Sequence, residues 1–234
     1  ASDRSHPIGD QYPDSLGISP DGAHCAIGFA NGAIQIHSGE TGQLEFSLLN
    51  ESHLRFYSVA FSPNGTRLAA GSDRGSVSLW NLKTQAREHS FSDHHDTVQA
   101  IAWSNDGALF ATGGNDQKVH VRETTGMRIV RTLIPEHSAV NSLAFSPDST
   151  RLASAGHGSG ISVWNLSELP NQVVVANASS LRPDGLAFSP DGAYLAFASQ
   201  TDLRLEDAAT GQTAVVLNAG NYRSVAFDPL SRVL

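Results

Sequence analysis

The sequence predicts an all-β fold made of one small antiparallel sheet that is repeated along the chain. Residues 59–82 read VAFSPNGTRLAAGSDRGSVSLWNL, and residues 143–166, which lie 84 positions later, match them at 12 of 24 positions without a gap. A weaker copy at residues 101–123 lies midway between them, so the repeat is 42 residues long. Self-similarity at a period of this size is typical of repeat architectures.

Each repeat is predicted to contain four strands joined by tight turns. In the second repeat, residues 59–61 form a short apolar run typical of a buried strand, and residues 62–65 supply the Pro, Asn and Gly of a turn. Residues 67–71 are predicted as the second strand, and residues 76–82 alternate as a third strand does. Residues 86–91 are more polar, as an outer edge strand should be. Such a sheet cannot bury both faces alone, so neighbouring copies are expected to stack on it.

The turn after the first strand recurs in phase through the whole chain. One such turn would be weak evidence, but six in phase are strong. They are residues 19–22, 62–65, 104–107, 146–149, 189–192 and 228–229. With these turns and the third-strand tryptophans Trp80 and Trp164, the chain resembles the WD-repeat family from about residue 15 to residue 234.

The resemblance implies a β-propeller of four-stranded antiparallel blades arranged around a central channel. Residues 1–14 are expected to form a linker or a frayed N-terminus. Five full blades are expected at about residues 15–49, 57–91, 98–133, 140–176 and 184–217, with a partial sixth at residues 222–234. Rings of this family usually have seven blades, so we expect an incomplete, open ring cut from a longer protein. A cramped six-bladed ring with a two-stranded last blade is the alternative.

Composition and charge narrow the class of partner. The net charge is −8, and the 15 Lys and Arg residues are scattered, which argues against nucleic-acid binding. No apolar run is long enough to cross a bilayer, and no leader is recognisable at Ala1, so neither membrane association nor export is expected. Cys25 is the single cysteine, which fits a reducing compartment. The expected location is therefore cytoplasmic.

The family also implies a buried, hydrogen-bonded set of His, Ser or Thr, Asp and Trp in each blade, and no unit holds all four. The structural residues carried over are His53 and Trp80 in the second unit, His95, Thr112 and Asp116 in the third, and His137, Ser154 and Trp164 in the fourth. In the second unit, Ala70 and Arg74 stand at the Ser and Asp positions. Arg122 replaces Trp in the third unit, and Gly158 replaces Asp in the fourth.

Neither a metal nor another cofactor is predicted. The periodic histidines belong to separate blades, whereas metal ligands must converge within about 2 Å of one ion. Residues 93–96 read Asp-His-His-Asp, and a solvated loop that includes the structural His95 accounts for them. The sequence also shows neither a nucleophile elbow nor a glycine-rich loop that opens a helix, so no catalytic residue is predicted.

The remaining prediction is a surface for a partner. Peptides that bind WD-repeat rings often lie over the channel mouth, against residues that flank each first strand and residues in the turn between strands two and three. The partner-binding residues that match the first description are Tyr12, Asp14, Arg55, Tyr57, Thr97, Gln99, Asn141, Arg182, Asp184 and Arg223. Those that match the second are Asp73, Asn115 and His157. An equally good interpretation is that these positions are ordinary loop residues that vary freely.

The leading hypothesis is a protein–protein interaction scaffold or sensor that binds a protein or peptide and has no chemistry of its own. The alternative is an accessory propeller of a larger multidomain enzyme or nucleotide-binding switch protein, whose catalytic domain lies outside this chain. A purely structural spacer is a third hypothesis. An open ring would also leave unpaired blade edges, through which the chain could self-associate.

Overall fold

A computed structural model describes residues 12–49, 54–135, 139–156, 160–167, 172–176, 183–218, 220 and 222–228. Within these ranges all regular secondary structure is β-strand, and the strands form five four-stranded sheets. Among these residues no helix is long and apolar enough to span a membrane. The chain forms two compact units, residues 1–101 and 102–234, and the division falls inside one strand of the third sheet.

The first two sheets have their strands in chain order, and each neighbouring pair is antiparallel. The first sheet contains β1 (Pro13–Ile18), β2 (His24–Phe29), β3 (Ala33–Ser38) and β4 (Leu44–Leu49). The second contains β5 (Phe56–Phe61), β6 (Arg67–Ser72), β7 (Val77–Asn81) and β8 (Ala86–Phe91).

The other three sheets repeat this order. The third contains β9 (Val98–Trp103), β10 (Leu109–Gly114), β11 (Val119–Glu123) and β12 (Ile129–Leu133). The fourth contains β13 (Ser142–Phe145), β14 (Arg151–Ala155), β15 (Ile161–Asn165) and β16 (Gln172–Ala176). The fifth contains β17 (Gly185–Phe188), β18 (Tyr194–Ala198), β19 (Asp202–Asp207) and β20 (Thr213–Asn218). The predicted fold class, an all-β propeller of four-stranded antiparallel blades, is confirmed.

Neighbouring sheets pack through apolar side chains from alternate strand positions. In the first unit, Ala26, Ile34 and Ile36 of the first sheet share a buried cluster with Val59 and Phe61 of β5. In the second unit, the fourth and fifth sheets share a similar cluster. Its buried members are Ala153, Ala155, Ile161, Val163, Leu186, Phe188, Leu195, Phe197 and Ala208. Each sheet is therefore stabilised by its neighbour, because burial of apolar surface is the main favourable contribution to the free energy of folding.

Close approach between repeats depends on a small residue near the end of each second strand. A Cβ built on Gly71 would collide with the side chain of Val98, and a Cβ on Gly113 would collide with that of Val140. The valine begins or precedes the first strand of the following repeat in both cases. Glycine at this position lets the next first strand lie directly against the second strand.

The turn after each first strand is fixed by one short hydrogen bond. A buried serine hydroxyl donates to the Oδ1 atom of the residue two positions later, and the same hydroxyl accepts a backbone N–H five positions on. The five pairs are Ser19–Asp21 (2.6 Å), Ser62–Asn64 (2.8 Å), Ser104–Asp106 (2.6 Å), Ser146–Asp148 (2.5 Å) and Ser189–Asp191 (2.6 Å). The recurring motif is therefore a structural turn, stabilised by its own side chains.

Both ends of the repeat array depart from the prediction. The expected N-terminal linker over residues 1–14 is wrong at its last two residues, because β1 already begins at Pro13, where the first position of a strand tolerates proline. At the other end, the sixth unit shows no strand within residues 222–228. These residues lie against the fifth sheet, since a Cβ on Gly185 would meet Ser224. Residues 229–234, the rest of the predicted sixth unit, lie outside the described residues.

Candidate functional site

Residues at the ends of the first two sheets carry the predicted partner-binding positions of the first unit. Arg55 directly precedes β5, and Tyr57 is the second residue of that strand. Asp73 follows the end of β6 and is exposed, whereas Gln99 is the second residue of β9 and is half-buried. The strands fix these positions, because each residue lies within two positions of a hydrogen-bonded strand end.

The Arg55 side chain bridges two repeats. Its Nε atom donates to Asp14 Oδ2 at 2.7 Å, and its Nη2 atom donates to Asp14 Oδ1 at 2.5 Å. Asp14 belongs to β1 of the first sheet, and only 10% of its side chain is exposed. These two hydrogen bonds raise the pKa of Arg55 further above its already high value. A bidentate pair of this kind fixes the orientation of the guanidinium as well as its position.

A second contact holds the same guanidinium from its face. The Cζ atom of Arg55 lies 4.7 Å from the centre of the Tyr57 ring, within the range of a cation–π interaction. The Tyr57 side chain is half-buried, and 41% of the Arg55 side chain remains exposed. The guanidinium is therefore fixed from two sides and still accessible to a partner.

The turn after β6 is tied to this arrangement through its backbone. The Asp73 N–H donates to the Arg55 carbonyl at 3.0 Å, and the Thr97 hydroxyl donates to the Asp73 carbonyl at 3.3 Å. Asp14, Arg55, Tyr57, Asp73 and Thr97 thus form one connected group, which we call the Arg55 surface. Sequence reasoning named all five residues separately, and the structure connects them.

The partner-binding positions predicted for the second unit occupy equivalent strand ends. The Asn141 N–H donates to the Ala155 carbonyl at 2.8 Å, and the Asp184 N–H donates to the Ala198 carbonyl at 2.9 Å. Asn115, Asn141 and Asp184 are half-buried, and Arg223 is exposed. His157 and Arg182 lie outside the described residues.

The predicted structural residues are mostly buried where they are described. Trp80 is almost fully buried and meets Phe56 edge to face, with ring centres 5.7 Å apart. Trp164 is buried too, and its Nε1 atom donates to Ser154 Oγ at 3.5 Å. Thr112 is also buried, and the Oδ1 atom of the half-buried Asp116 accepts the Lys118 N–H at 3.3 Å. His53 and His137 lie outside the described residues.

The assignment of a buried role to His95 is wrong by one position. His94 is 4% exposed, whereas the neighbouring His95 is an exposed residue. The His94 carbonyl packs against Gly75, where a Cβ would collide with it, so the connection before β9 lies directly on the turn before β7. This close backbone contact turns the His94 side chain inward. The 42-residue spacing alone could not distinguish two adjacent histidines.

Two buried charged residues stand opposite a second-strand apolar residue, where Trp80 and Trp164 stand in their repeats. The sequence placed Arg122 at this position, whereas Glu206 was not predicted to be there. Arg122 pairs with Phe110, and its Nη1 atom donates to the Met127 carbonyl at 2.6 Å. Glu206 pairs with Leu195 and is 2% exposed. Burial raises the pKa of Glu206 to about 7. Aligning the fifth repeat by its strand pairs would have revealed that Glu206 occupies the same buried position.

Comparison with known proteins supports the repeat at the level of family. The model described as "WD domain, G-beta repeat" matches residues 46–81, 85–122 and 127–165. Each match runs from the fourth strand of one sheet through the third strand of the next, for example from β4 to β7. The family's sequence unit thus crosses the connection between sheets. A search of curated proteins gave no match.

Proposed function

Because the chain belongs to the WD-repeat family, we propose that it is a protein–protein interaction scaffold or sensor with no catalytic activity of its own. WD repeats generally mediate contacts between proteins, although a fold by itself does not name a partner. The proposed partner is a protein or peptide. The proposed binding site is the Arg55 surface, at the blade ends that the family resemblance assigns to the channel mouth.

One observation carries this proposal: the Arg55 side chain is held by two contacts and remains partly exposed. An arginine that is already ordered loses little conformational entropy when a partner binds, so more of the contact energy contributes to affinity. Arg and Tyr are also enriched among the residues that dominate binding energy at protein interfaces. The Asp14–Arg55 pair and the Tyr57 ring supply this preorganised combination.

The chemistry of the site favours a polar peptide with an aromatic or aliphatic anchor. Asp73 offers a carboxylate on an exposed turn, and Gln99 offers an amide at the second position of β9, which is the position that Tyr57 holds in β5. The half-buried ring of Tyr57 provides the apolar contact. The acidic net charge of −8 disfavours a phosphate backbone, so neither nucleic acid nor a membrane is part of the proposal. A cytoplasmic location and self-association through open blade edges complete it.

The test is quantitative capture of partners by the immobilised chain, with Tyr57→Ala as the variant. Tyr57 is chosen because its removal leaves the bidentate Asp14–Arg55 pair in place. Tyr194→Ala is the matched control, since Tyr194 is a 38% exposed tyrosine at the start of β18. We expect Tyr57→Ala to retain at least about tenfold less of the partner proteins than the unmodified chain and the control retain.

A second variant separates binding from stability. Arg55→Lys keeps the positive charge but loses the planar fork that matches the Asp14 carboxylate. We expect the same partners to be lost with Arg55→Lys, while the thermal unfolding midpoint stays close to that of the unmodified chain. Equal capture by the unmodified chain, Tyr57→Ala and Arg55→Lys would reject the Arg55 surface as the binding site.

A further inference from the structure

The position that opens each second strand carries different side chains in the first and fourth sheets. His24 is the first residue of β2, and Arg151 is the first residue of β14. Each lies five positions after the turn serine, and its N–H donates to that serine's hydroxyl, at 2.8 Å for His24 and 2.9 Å for Arg151. Strand alternation puts His24 on the side of Ala26 and Arg151 on the side of Ala153, and both sides pack against the next sheet. The two side chains therefore start from equivalent places.

The Arg151 side chain fills the space between the ends of the fourth and fifth sheets. Its Nη2 atom donates to the Gly192 carbonyl at 2.7 Å, and its Nη1 atom donates to the Ala208 carbonyl at 3.3 Å. Its Cζ atom lies 5.4 Å from the centre of the Phe188 ring, within the range of a cation–π interaction. The fifth sheet thus offers two backbone carbonyls and an aromatic ring, and together they bind a guanidinium.

The equivalent space between the first and second sheets is an open cleft, which we call the His24 cleft. It has a volume of about 260 Å³ and is lined by His24, Ile36, Phe46, Gly65, Thr66, Leu82 and Lys83. The imidazole of His24 is shorter than an arginine side chain and lies beside Glu45 of its own sheet. The His24 Nδ1 atom is 3.1 Å from Glu45 Oε2, although the two are not aligned as a hydrogen bond. His24 therefore does not fill the cleft as Arg151 fills its counterpart.

The backbone that holds Arg151 recurs at the His24 cleft. Gly65 has the place of Gly192: each donates its N–H to the carbonyl of the turn serine at 2.8 Å, and their φ angles are 68° and 69°. Leu82 has the place of Ala208, and each donates its N–H at 2.9 Å to a carbonyl at the start of the preceding hairpin. We therefore expect the carbonyls of Gly65 and Leu82 to point as their counterparts do.

Glycine neighbourhoods show that the place of the guanidinium is open in the His24 cleft. A Cβ built on Gly192 would lie 3.4 Å from Arg151 Nη2. A Cβ built on Gly65 would meet no atom of the described residues within 4 Å, apart from its own chain neighbours. The first and second sheets thus keep the acceptors and leave the space in front of them empty of protein atoms.

Ring and charge at the His24 cleft also suit a cation. Phe61 is the last residue of β5, as Phe188 is of β17, so the ring that Arg151 meets has a counterpart. The Glu45 carboxylate lies beside the cleft through its contact with His24, and the net charge of −8 attracts cationic partners. Lys83 opposes a cation, but it is exposed, and a long lysine side chain can keep its ammonium in water.

We propose that the His24 cleft binds an arginine side chain of a partner protein, whose guanidinium donates to the carbonyls of Gly65 and Leu82. This guanidinium takes the place that the Arg151 guanidinium has between the fourth and fifth sheets. The planar fork of arginine suits two carbonyls that are held apart, whereas a lysine ammonium is a single point charge. The cleft lies at the strand ends opposite to the Arg55 surface, because Arg55 precedes β5 and Gly65 follows it. It is therefore a second site that does not depend on the Arg55 surface.

Nuclear magnetic resonance titration of the isotope-labelled chain with the peptide acetyl-Gly-Arg-Gly-amide tests the site. We expect saturable shifts of the amide signals of Gly65, Thr66 and Leu82, with millimolar affinity, because a single side chain buries little surface. Acetyl-Gly-Lys-Gly-amide is the control peptide, and it should bind at least about fivefold more weakly, since it lacks the planar fork. Equal binding of the two peptides, or no saturable shift at these three amides, would overturn the proposal.

His24→Arg tests whether the peptide occupies the cleft itself. The new side chain should fill the cleft from within the chain, as Arg151 does in the fourth sheet, and the peptide's affinity should fall at least about tenfold. The thermal unfolding midpoint should not fall, because arginine is already accommodated at the equivalent position. His89→Arg is the matched control, since it adds the same charge at an exposed histidine of β8 and should leave binding unchanged. A His24→Arg chain that binds the peptide as tightly as the control does would overturn the proposal.

Lys83→Ala gives a result that does not depend on filling the cleft. Removing the exposed ammonium should strengthen binding of the arginine peptide by about two- to fivefold, because a like charge opposes the guanidinium. Arg55→Lys should bind the peptide as the unmodified chain does, since Arg55 lies at the opposite strand ends. Weaker binding with Lys83→Ala would indicate a cleft for anions, and lost binding with Arg55→Lys would place the peptide on the Arg55 surface. Either result would overturn the proposal.

Discussion

The fourth and fifth sheets bury side chains of opposite character at one equivalent position. Trp164 of β15 pairs with Leu152, and Glu206 of β19 pairs with Leu195, in the same register of each sheet. Both side chains are at least 95% buried. The position is therefore buried by the stacking of sheets, whichever residue the sequence places there.

The two residues differ in how well their polar atoms are satisfied. The Trp164 indole donates to Ser154, but the residue at the position of Ser154 in the fifth sheet is Phe197, which has no hydroxyl. Glu206 Oε1 accepts the Thr213 hydroxyl at 3.4 Å, whereas Oε2 has no hydrogen-bond partner among the described residues. Desolvation raises the pKa of Glu206 to about 7, so the carboxyl avoids part of the cost of burial by holding a proton. The comparison shows that the stacked repeats tolerate a buried carboxyl at this position. The cost is a loss of stability that depends on pH.

The largest effect is expected for Trp164→Ala. Removing a buried indole leaves a cavity between the sheets and removes the hydrogen bond to Ser154, so the free energy of unfolding should fall by about 3–5 kcal/mol. Urea unfolding followed by circular dichroism measures the change. Trp164→Phe is the control that keeps most of the volume, and it should cost less than half as much. A loss below about 1 kcal/mol for Trp164→Ala would mean that the fourth sheet does not depend on this position.

Glu206→Gln should have the next largest effect, with the opposite sign. Between pH 4.5, the ordinary pKa of a glutamate, and about 7, the folded chain holds a proton that the unfolded chain has released. The stability of the unmodified chain must therefore fall as the pH rises through this window. Glutamine cannot ionise, so the variant should be more stable by about 3 kcal/mol at pH 8 and almost unchanged at pH 4.5.

The pH dependence is what identifies the cause. Urea unfolding at pH 4.5, 6 and 8 gives the difference between Glu206→Gln and the unmodified chain at each pH. Glu88→Gln is a suitable control, because Glu88 is a part-exposed glutamate whose pKa is lowered by hydrogen bonds from Asn81 and by Arg67, so its replacement should not stabilise the chain at pH 8. An equal gain for Glu206→Gln at all three pH values would contradict a titrating carboxyl.

The fold could be predicted because the repeat multiplies weak signals. A turn such as that of Ser62 and Asn64 carries little weight alone, but its recurrence every 42 residues fixes where each first strand ends and each second strand begins. Burial of Trp80 followed from the same alignment of repeats. The place of His94 did not, because it depends on a backbone contact with Gly75 that no spacing reveals.

The residues of the candidate site could be proposed one by one from the sequence, but their connection to one another could not. Arg55, Tyr57 and Asp73 were found from their positions next to strand ends. Their connection to Asp14 needs the packing of one repeat on the next, which brings residues 41 positions apart into a bidentate pair. Glu206 was missed for a related reason: an acidic residue in a strand looks exposed until the cross-strand partner, Leu195, shows which face it lies on.

The smallest effect is expected for a change in the turn that precedes each second strand, where the second and fourth sheets can be compared. Asp148 accepts the Ser146 hydroxyl and the Thr150 N–H, and these bonds lower its pKa. Asn64 makes the same two contacts in the second sheet without a charge. Asp148→Asn should therefore preserve the turn and cost less than about 1 kcal/mol at pH 7, because the site is largely solvated.

The contribution of Asp148 to stability changes with pH in the opposite direction to that of Glu206. A carboxyl whose pKa is lowered on folding stabilises the folded state above its unfolded value of 3.8, and this contribution is lost as the pH falls through the folded value. The difference between Asp148→Asn and the unmodified chain should therefore shrink as the pH falls below 3.8, as urea unfolding at pH 7 and at pH 3 or below can show. A cost that stays the same at low pH would mean that the amide distorts the turn, and that the second and fourth sheets do not share one turn geometry.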